Sequence, residues 1–150
     1  RQQPVANDLR LVSTALKVVT DLERIGDHAS DIAELILRIK SEHAYHIVKH
    51  LPVMASCASS MLHDAIEAFI VQDVEASMKI IERDDQVDDL FNQVKSDVIE
   101  LLKSSPDQAD QGIDLLMVAK YLERIGDHAV NVCEWTQFSK TGALKNVRIM

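Results

Sequence analysis

The octapeptide LERIGDHA occupies Leu22 to Ala29 and recurs at Leu122 to Ala129, about one hundred residues further along the chain. Around it the match continues in weaker form: Leu16, Val18 and Glu34 return as Leu116, Val118 and Glu134, while Asp31 is replaced by Asn131. The chain therefore holds one unit and part of another. The periodicity around the first copy says what kind of unit it is. From about Asn7 to Lys40, the residues Leu11, Ala15, Val18, Leu22, Ile25, Ala29, Ile32 and Ile36 alternate spacings of four and three. That is the pattern of a long helix packing along a heptad seam.

Polar residues from Ser41 to Tyr45 interrupt this helix. A second helix is expected from near Lys49 or Pro52 to Val71, with Pro52 in its first turn and Met54, Ala58, Met61, Ala65, Ala68 and Phe69 as core. Asp73 suits the N-cap of a third, running to about Lys103 with Ile80, Val87, Phe91, Val94, Val98 and Leu101 inward. In the stretch SPDQ, Ser105 can cap, Pro106 can take the first helical position and Gln108 can complete a capping box. A fourth helix is expected from there to about Ser139, and the stretch from Thr141 to Met150 reads as frayed or extended. Strand signals are absent.

The fold class is therefore all-α, built of tandem three-helix-bundle repeats. Residues 1–42 read as the last helix of a first repeat, residues 43–142 as a complete second repeat of three helices, and residues 143–150 as a tail. By repeat logic two helices, on the order of 70 residues, are expected before Arg1, because the first seam otherwise lacks its own partners.

Composition narrows the function classes. A 150-residue chain that is 47% hydrophobic, with 4 Gly and 3 Pro, can bury a real core. Its net charge of -8 and the lack of a dense basic run argue against a nucleic-acid groove and favour cations or basic protein patches as partners. Cys57 and Cys133 fit no short metal motif, and a chain of this size does not need disulfide staples, so reduced thiols in a cytoplasmic setting are expected. No apolar stretch approaches the roughly 20 residues that span a bilayer.

The residues able to carry chemistry are acids. Glu23, Asp27 and Glu34 fall on one stripe of the first helix, flanked by Ser30 and Asp31, and Glu123, Asp127 and Glu134 repeat the stripe. Like charges four residues apart repel by roughly 0.2 to 0.5 kcal/mol per pair, so two matched carboxylate columns invite a cation. Each column sits beside Gly26 or Gly126, and a mid-helix glycine costs about 1 kcal/mol relative to alanine, which a plain solvent face gives no reason to accept. Helix packing is the alternative reason for the glycines. In the third helix Asp84 and Asp88 form another acidic pair, expected to face Glu123 and Asp127 across a helix interface, while Asp85 and Asp89 read as solvated.

His28 and His128 point about a quarter turn from the aspartates and suit a supporting role better than direct ligation. A ferritin-type site would want Glu-x-x-His, yet three residues after Glu23 and Glu123 stand Gly26 and Gly126. His43, His46 and His50 lack the Cys or carboxylate partners of a zinc signature and read as solvated. No phosphate loop, nucleophile elbow or zincin motif is present.

The paired LERIGDHA segments, the lead-in QPVANDLR (Gln3 to Arg10) and the run YLERIGDHAVNVCEW (Tyr121 to Trp135) resemble the PhoU family, bacterial regulators associated with the phosphate-specific ABC transporter. The resemblance extends from Gln3 through about Gly142 and implies the C-terminal two thirds of a protein of tandem three-helix bundles. It further implies a divalent or multinuclear metal, iron or zinc before magnesium or manganese, held by Asp84 and Asp88 with Glu123 and Asp127, and by Glu23 and Asp27 in the first unit. Asp31, Glu34, Asn131, Glu134, His28 and His128 are possible additions. Family members repress phosphate-starvation responses by linking the transporter, through its ATPase subunit, to a sensor histidine kinase. A cytoplasmic homodimer reaching the membrane through its partners is the expectation, with no enzyme activity and no nucleic acid. Two other readings stand beside it: a metal-dependent hydrolase or oxidase using the same carboxylates, and a structural oligomerisation module in which the octapeptides serve packing.

Overall fold

The two octapeptides lie on the two longest helices, α1 (Pro4–Arg38) and α6 (Ala109–Thr141). The computed structural model describes residues 4–142, so the tail expected at 143–150 lies outside the described residues. α1 and α6 run antiparallel: Arg10 Nε donates to the Ser139 carbonyl at 3.2 Å at one end, and Arg38 meets Asp114 at 3.1 Å at the other. α2 (Glu42–Ile47), α3 (Leu51–Val71), α4 (Val74–Glu82) and α5 (Asp84–Ser104) connect them, and α6 packs on α1, α3, α4 and α5. Among the described residues the protein is helical without strands, and no helix is long and apolar enough to cross a membrane.

Burial follows that central position. In α6 every residue from His128 to Glu134 is buried, so this helix is covered on all sides at its middle. α3 buries Met54, Ala58, Met61, Ala65 and Ala68 and α5 buries Val87, Val94, Val98 and Leu101, as their periodicity predicts. α1 is different. Its buried stripe is Thr14, Val18, Asp21, Ile25 and Leu35, shifted from the expected seam, and Leu11 and Ile36 are exposed. A second line at four-and-three spacing, Val5, Leu9, Val12, Leu16 and Val19, is 51–69% exposed. Two apolar lines on one helix explain the shift, because periodicity alone does not say which of them faces a partner.

Three boundaries depart from expectation. The polar stretch after α1 is itself helical: Ser41 Oγ accepts the Ala44 N–H at 3.1 Å and caps α2. The third helix is not continuous to Lys103. Asp73 caps α4, accepting the Ala76 N–H at 2.9 Å, but the helix breaks at Arg83 and restarts as α5. Neither Pro nor Gly stands at the break; the Arg83 guanidinium is held across it by Asp64 Oδ2 at 2.6 Å and Ser60 Oγ at 2.8 Å on α3. The SPDQ capping box does not form. Pro106–Gln108 is a 3-10 turn, Ser105 Oγ lies 3.1 Å from His43 Nε2, and Gln108 Oε1 accepts from Ser41 Oγ. Those side chains, with Gln111 accepting from the Lys40 and Ser41 N–H groups, tie the α1–α2 corner to the start of α6 instead.

Candidate functional site

The break at Arg83 decides where the first acid stands. It makes Asp84 the opening residue of α5, where the helix N-terminus favours a carboxylate, and Asp84 is 3% exposed. A Cβ built on Gly126 of α6 would lie 3.5 Å from Asp84 Oδ1 and 3.6 Å from Val87 Cγ1. The absent side chain of Gly126 therefore lets the start of α5 settle against the second octapeptide. Asp88 and Asp127 are half-buried, and Glu123, half-buried, takes the Lys120 ammonium at 2.8 Å. Asp84 is thus placed against Gly126 of the second octapeptide, and Asp85 and Asp89 are exposed. Among the described residues no three of His, Cys, Asp and Glu converge into a group that could hold a metal ion.

Among the described residues the first copy has no such neighbour. Glu23 and Asp27 are exposed on α1, and nothing lies within 4 Å of a Cβ built on Gly26. Asp31 and Glu34 line a cavity of about 270 Å³ between α1 and α6, beside the Arg38–Asp114 ion pair and Tyr121. Their counterparts turn elsewhere: Glu134 is 4% exposed, and Asn131 Nδ2 donates to Asp21 Oδ1 at 3.2 Å.

Asp21 is the centre of a buried polar cluster. His128 Nδ1 lies 2.9 Å from the same Asp21 oxygen, and the carboxylate fixes the imidazole proton on Nδ1. Advancing each residue to its repeat equivalent turns the Asp21–His128 pair into Tyr121–His28, and those two rings do stack, with centroids 5.6 Å apart. His28 and His128 also lie with centroids 5.6 Å apart. The α1–α6 contact therefore has an approximate two-fold relation in which one side is an ion-pair-like cluster and the other an aromatic contact. Burial lowers the pKa of His28 from its ordinary 6.5, and the charges of His128 and Arg124 push the same way.

Sequence reading passed over Asp21, Arg83, Lys120 and the partner of His50. His50 is not simply solvated: its Nδ1 and its backbone N–H lie 2.8 and 3.0 Å from Asp97 Oδ2. Asp21 sits between Val18 and Ile25, and Asp97 between Val94 and Leu101, each a charge at a core position of an apolar period. That misplacement is the signal that could have found them. Both cysteines are free, and burial, reinforced by Glu134, pushes the Cys133 thiol up to about 12. Arg24 and Arg124 are exposed.

Comparison with known proteins supplies the relatives of this arrangement. The PhoU domain model matches residues 1–36 and 51–136, which include both octapeptides. A phosphate-specific transport system accessory protein PhoU homolog of Clostridium acetobutylicum is 41% identical over 142 residues, covering 94% of this chain and 65% of its own length. The crystal structure of the phosphate transport system regulatory protein PhoU from Streptococcus pneumoniae superposes with a TM-score of 0.82 at 30% identity, over 98% of this chain and 68% of that one. PhoU from Pseudomonas aeruginosa gives a TM-score of 0.82 at 31% identity, over 95% and 69%. The chain thus spans about two thirds of the length of the proteins it matches.

Proposed function

This chain belongs to the PhoU domain family, and on that premise we propose that it is a metal-binding regulatory adaptor of phosphate homeostasis. It restrains phosphate uptake and the starvation response by linking the ATPase subunit of a phosphate ABC transporter to a sensor histidine kinase. It works without catalysis of its own, as a cytoplasmic homodimer that meets the membrane through its partners. The relatives named as transport-system accessory and regulatory proteins support the transport side of this reading. The chain's net charge of -8 suits docking on basic partner surfaces. In this reading residues 1–42 close a first three-helix repeat and residues 43–142 form the second. The Val5-to-Val19 line of α1 is then the face its own two helices would cover, since the equivalent Gly112 and Ala119 of α6 are buried.

The observation that carries the metal assignment is the packing of Asp84 against Gly126. Carboxylate oxygens are the hard donors that a divalent ion wants. Asp84, Asp88, Glu123 and Asp127 would hold the ion, and Glu23 and Asp27 would contribute a second set in the first repeat. The fit is partial, because Glu123 must exchange Lys120 for the metal and no three acids converge as placed. When bound, the ion would supply charge neutralisation and a docking point for anionic oxygens.

The test is elemental analysis of the purified full-length protein beside a variant with Asp84→Asn, Asp88→Asn, Glu123→Gln and Asp127→Asn. Stoichiometric iron, zinc or manganese that the variant loses supports the assignment. Equal trace metal in both removes it. Phosphate-responsive repression in cells that is unchanged in the variant would separate the acids from regulation, and sedimentation as a clean monomer would reject the dimer.

A further inference from the structure

The groove between α3 and α4 lies apart from the acid set described above. Its cavity of about 340 Å³ is floored by Ala68 of α3 with Ala76 and Ile80 of α4. Two alanines facing one slot give the groove its depth, because neither helix fills the space with a long side chain. At its lip Val71, in the last turn of α3, is 65% exposed. An exposed valine beside an apolar slot suits an interaction surface better than a solvent face.

The rim is acidic. Asp64, Glu67 and Asp73 line the groove together with Lys79. Lys79 already reaches Glu75, at 3.7 Å, and Asp64 holds Arg83. The helix ends add to this field. The positive N-terminal end of α4 is met by Asp73 and Glu75, whereas the negative C-terminal end of α3 has no basic residue in its last turn. With Asp64, Glu67, Asp73 and Glu75 set against Lys79 and Arg83, the groove is net negative. A second copy of this acidic chain would meet repulsion there, and so would a phosphate or an anionic lipid headgroup.

We propose that the α3–α4 groove docks a cationic amphipathic segment of a partner protein. A large apolar side chain of that segment enters the slot over Ala68, Ala76 and Ile80. Lysines or arginines one turn to either side meet Glu67 and Asp73, and the C-terminal carbonyl end of α3. The apolar anchor supplies affinity, and the charges set orientation and exclude acidic competitors.

The test uses the full-length protein and a fluorescein-labelled peptide of about 14 residues, with leucines at three-and-four spacing and lysines between them. Fluorescence anisotropy should report saturable binding. It should weaken about tenfold in Glu67→Lys. It should also weaken in Val71→Asp, although that change adds negative charge. Glu100→Lys, an exposed change on α5 outside the groove, should leave it unaltered. Circular dichroism checks that each variant is folded. No binding overturns the proposal. Tighter binding by Val71→Asp, equal weakening by Glu100→Lys, or equal binding of a peptide with serines for leucines overturns it too, since each means diffuse charge attraction. Preference for a glutamate-for-lysine peptide overturns the charge assignment. A change in self-association in Val71→Asp without peptide would make the occupant a second copy, and the proposal would fall.

Discussion

In α6 the octapeptide buries Leu122, Ile125, Gly126, His128 and Ala129, whereas in α1 the same eight residues bury only Ile25 and leave Gly26 facing nothing within 4 Å. Both copies are helical, because propensity and period are properties of the local sequence. What each copy does beyond that is set by what packs on it. Gly126 serves a close approach of α5, and the identical Gly26 has no such approach among the described residues. Identical residues are therefore evidence of a shared fold unit, and evidence of a shared site only where the flanking helices are also present.

The largest test of this contrast lies in the buried cluster. Asp21→Ala removes the carboxylate on which His128 and Asn131 converge, and is expected to destabilise the protein by about 3 kcal/mol. Tyr121→Ala, which removes the ring facing His28 in the repeat-related position, should show a smaller polar coupling in the corresponding double-mutant cycle. Urea denaturation of the four single and two double variants measures both couplings. Equal couplings would mean that the two sides of the α1–α6 contact are energetically alike despite their chemistry.

The glycines come next. Gly126→Leu should overpack against Asp84 and Val87 and cost about 2 kcal/mol, while Gly26→Leu in residues 1–150 should be neutral or gain under about 1 kcal/mol from helix propensity. In a longer chain carrying the two helices that the repeat proposal places before α1, Gly26→Leu should become as harmful as Gly126→Leu. Thermal melts of both lengths decide this. A harmless Gly26→Leu in the longer chain would break the proposed equivalence of the two repeats.

Smaller effects test the acids and the histidines. Lys120→Met frees Glu123 from an ion pair worth under about 1 kcal/mol, so metal affinity in the second unit should rise by roughly fivefold or less. Titration calorimetry with manganese or zinc reads it, and weaker binding would remove Glu123 from the ligand set. For His28 the sign follows from its lowered pKa. The unfolded chain takes up the proton near 6.5 while the folded form resists it, so stability falls as pH drops below about 6.5 and levels off below the folded value. The His28→Gln variant should lose that part of the pH dependence. An unchanged profile would place the proton uptake on another group.

Much of this architecture is legible in residue spacing. The apolar periods of α3 and α5, the Asp73 cap and Pro52 in the first turn of α3 all emerge as read, because each depends on neighbours within a turn or two. The break at Arg83 is not legible. It coincides with a guanidinium held by Asp64 and Ser60 on another helix, and no local breaker residue announces it. The SPDQ box fails for the same reason, since Ser105 and Gln108 have distant partners in His43 and Ser41. At the site, the acidic spacing draws Asp84 toward the second octapeptide, while the neighbour it meets there is Gly126. Around Asp21 the spacing marks a charge at a core position but not what meets it, because its partners lie 107 and 110 residues away.

That cluster also governs how the two long helices can move. Apolar side chains such as Val18 and Ile25 contribute non-directional contacts, which fix the register of one helix on another only weakly. Any shift must pull the Asp21 carboxylate from His128 and Asn131, and all three side chains are buried. The contact between the two long helices therefore has its register set by polar chemistry, and slipping it costs the Asp21 pairing.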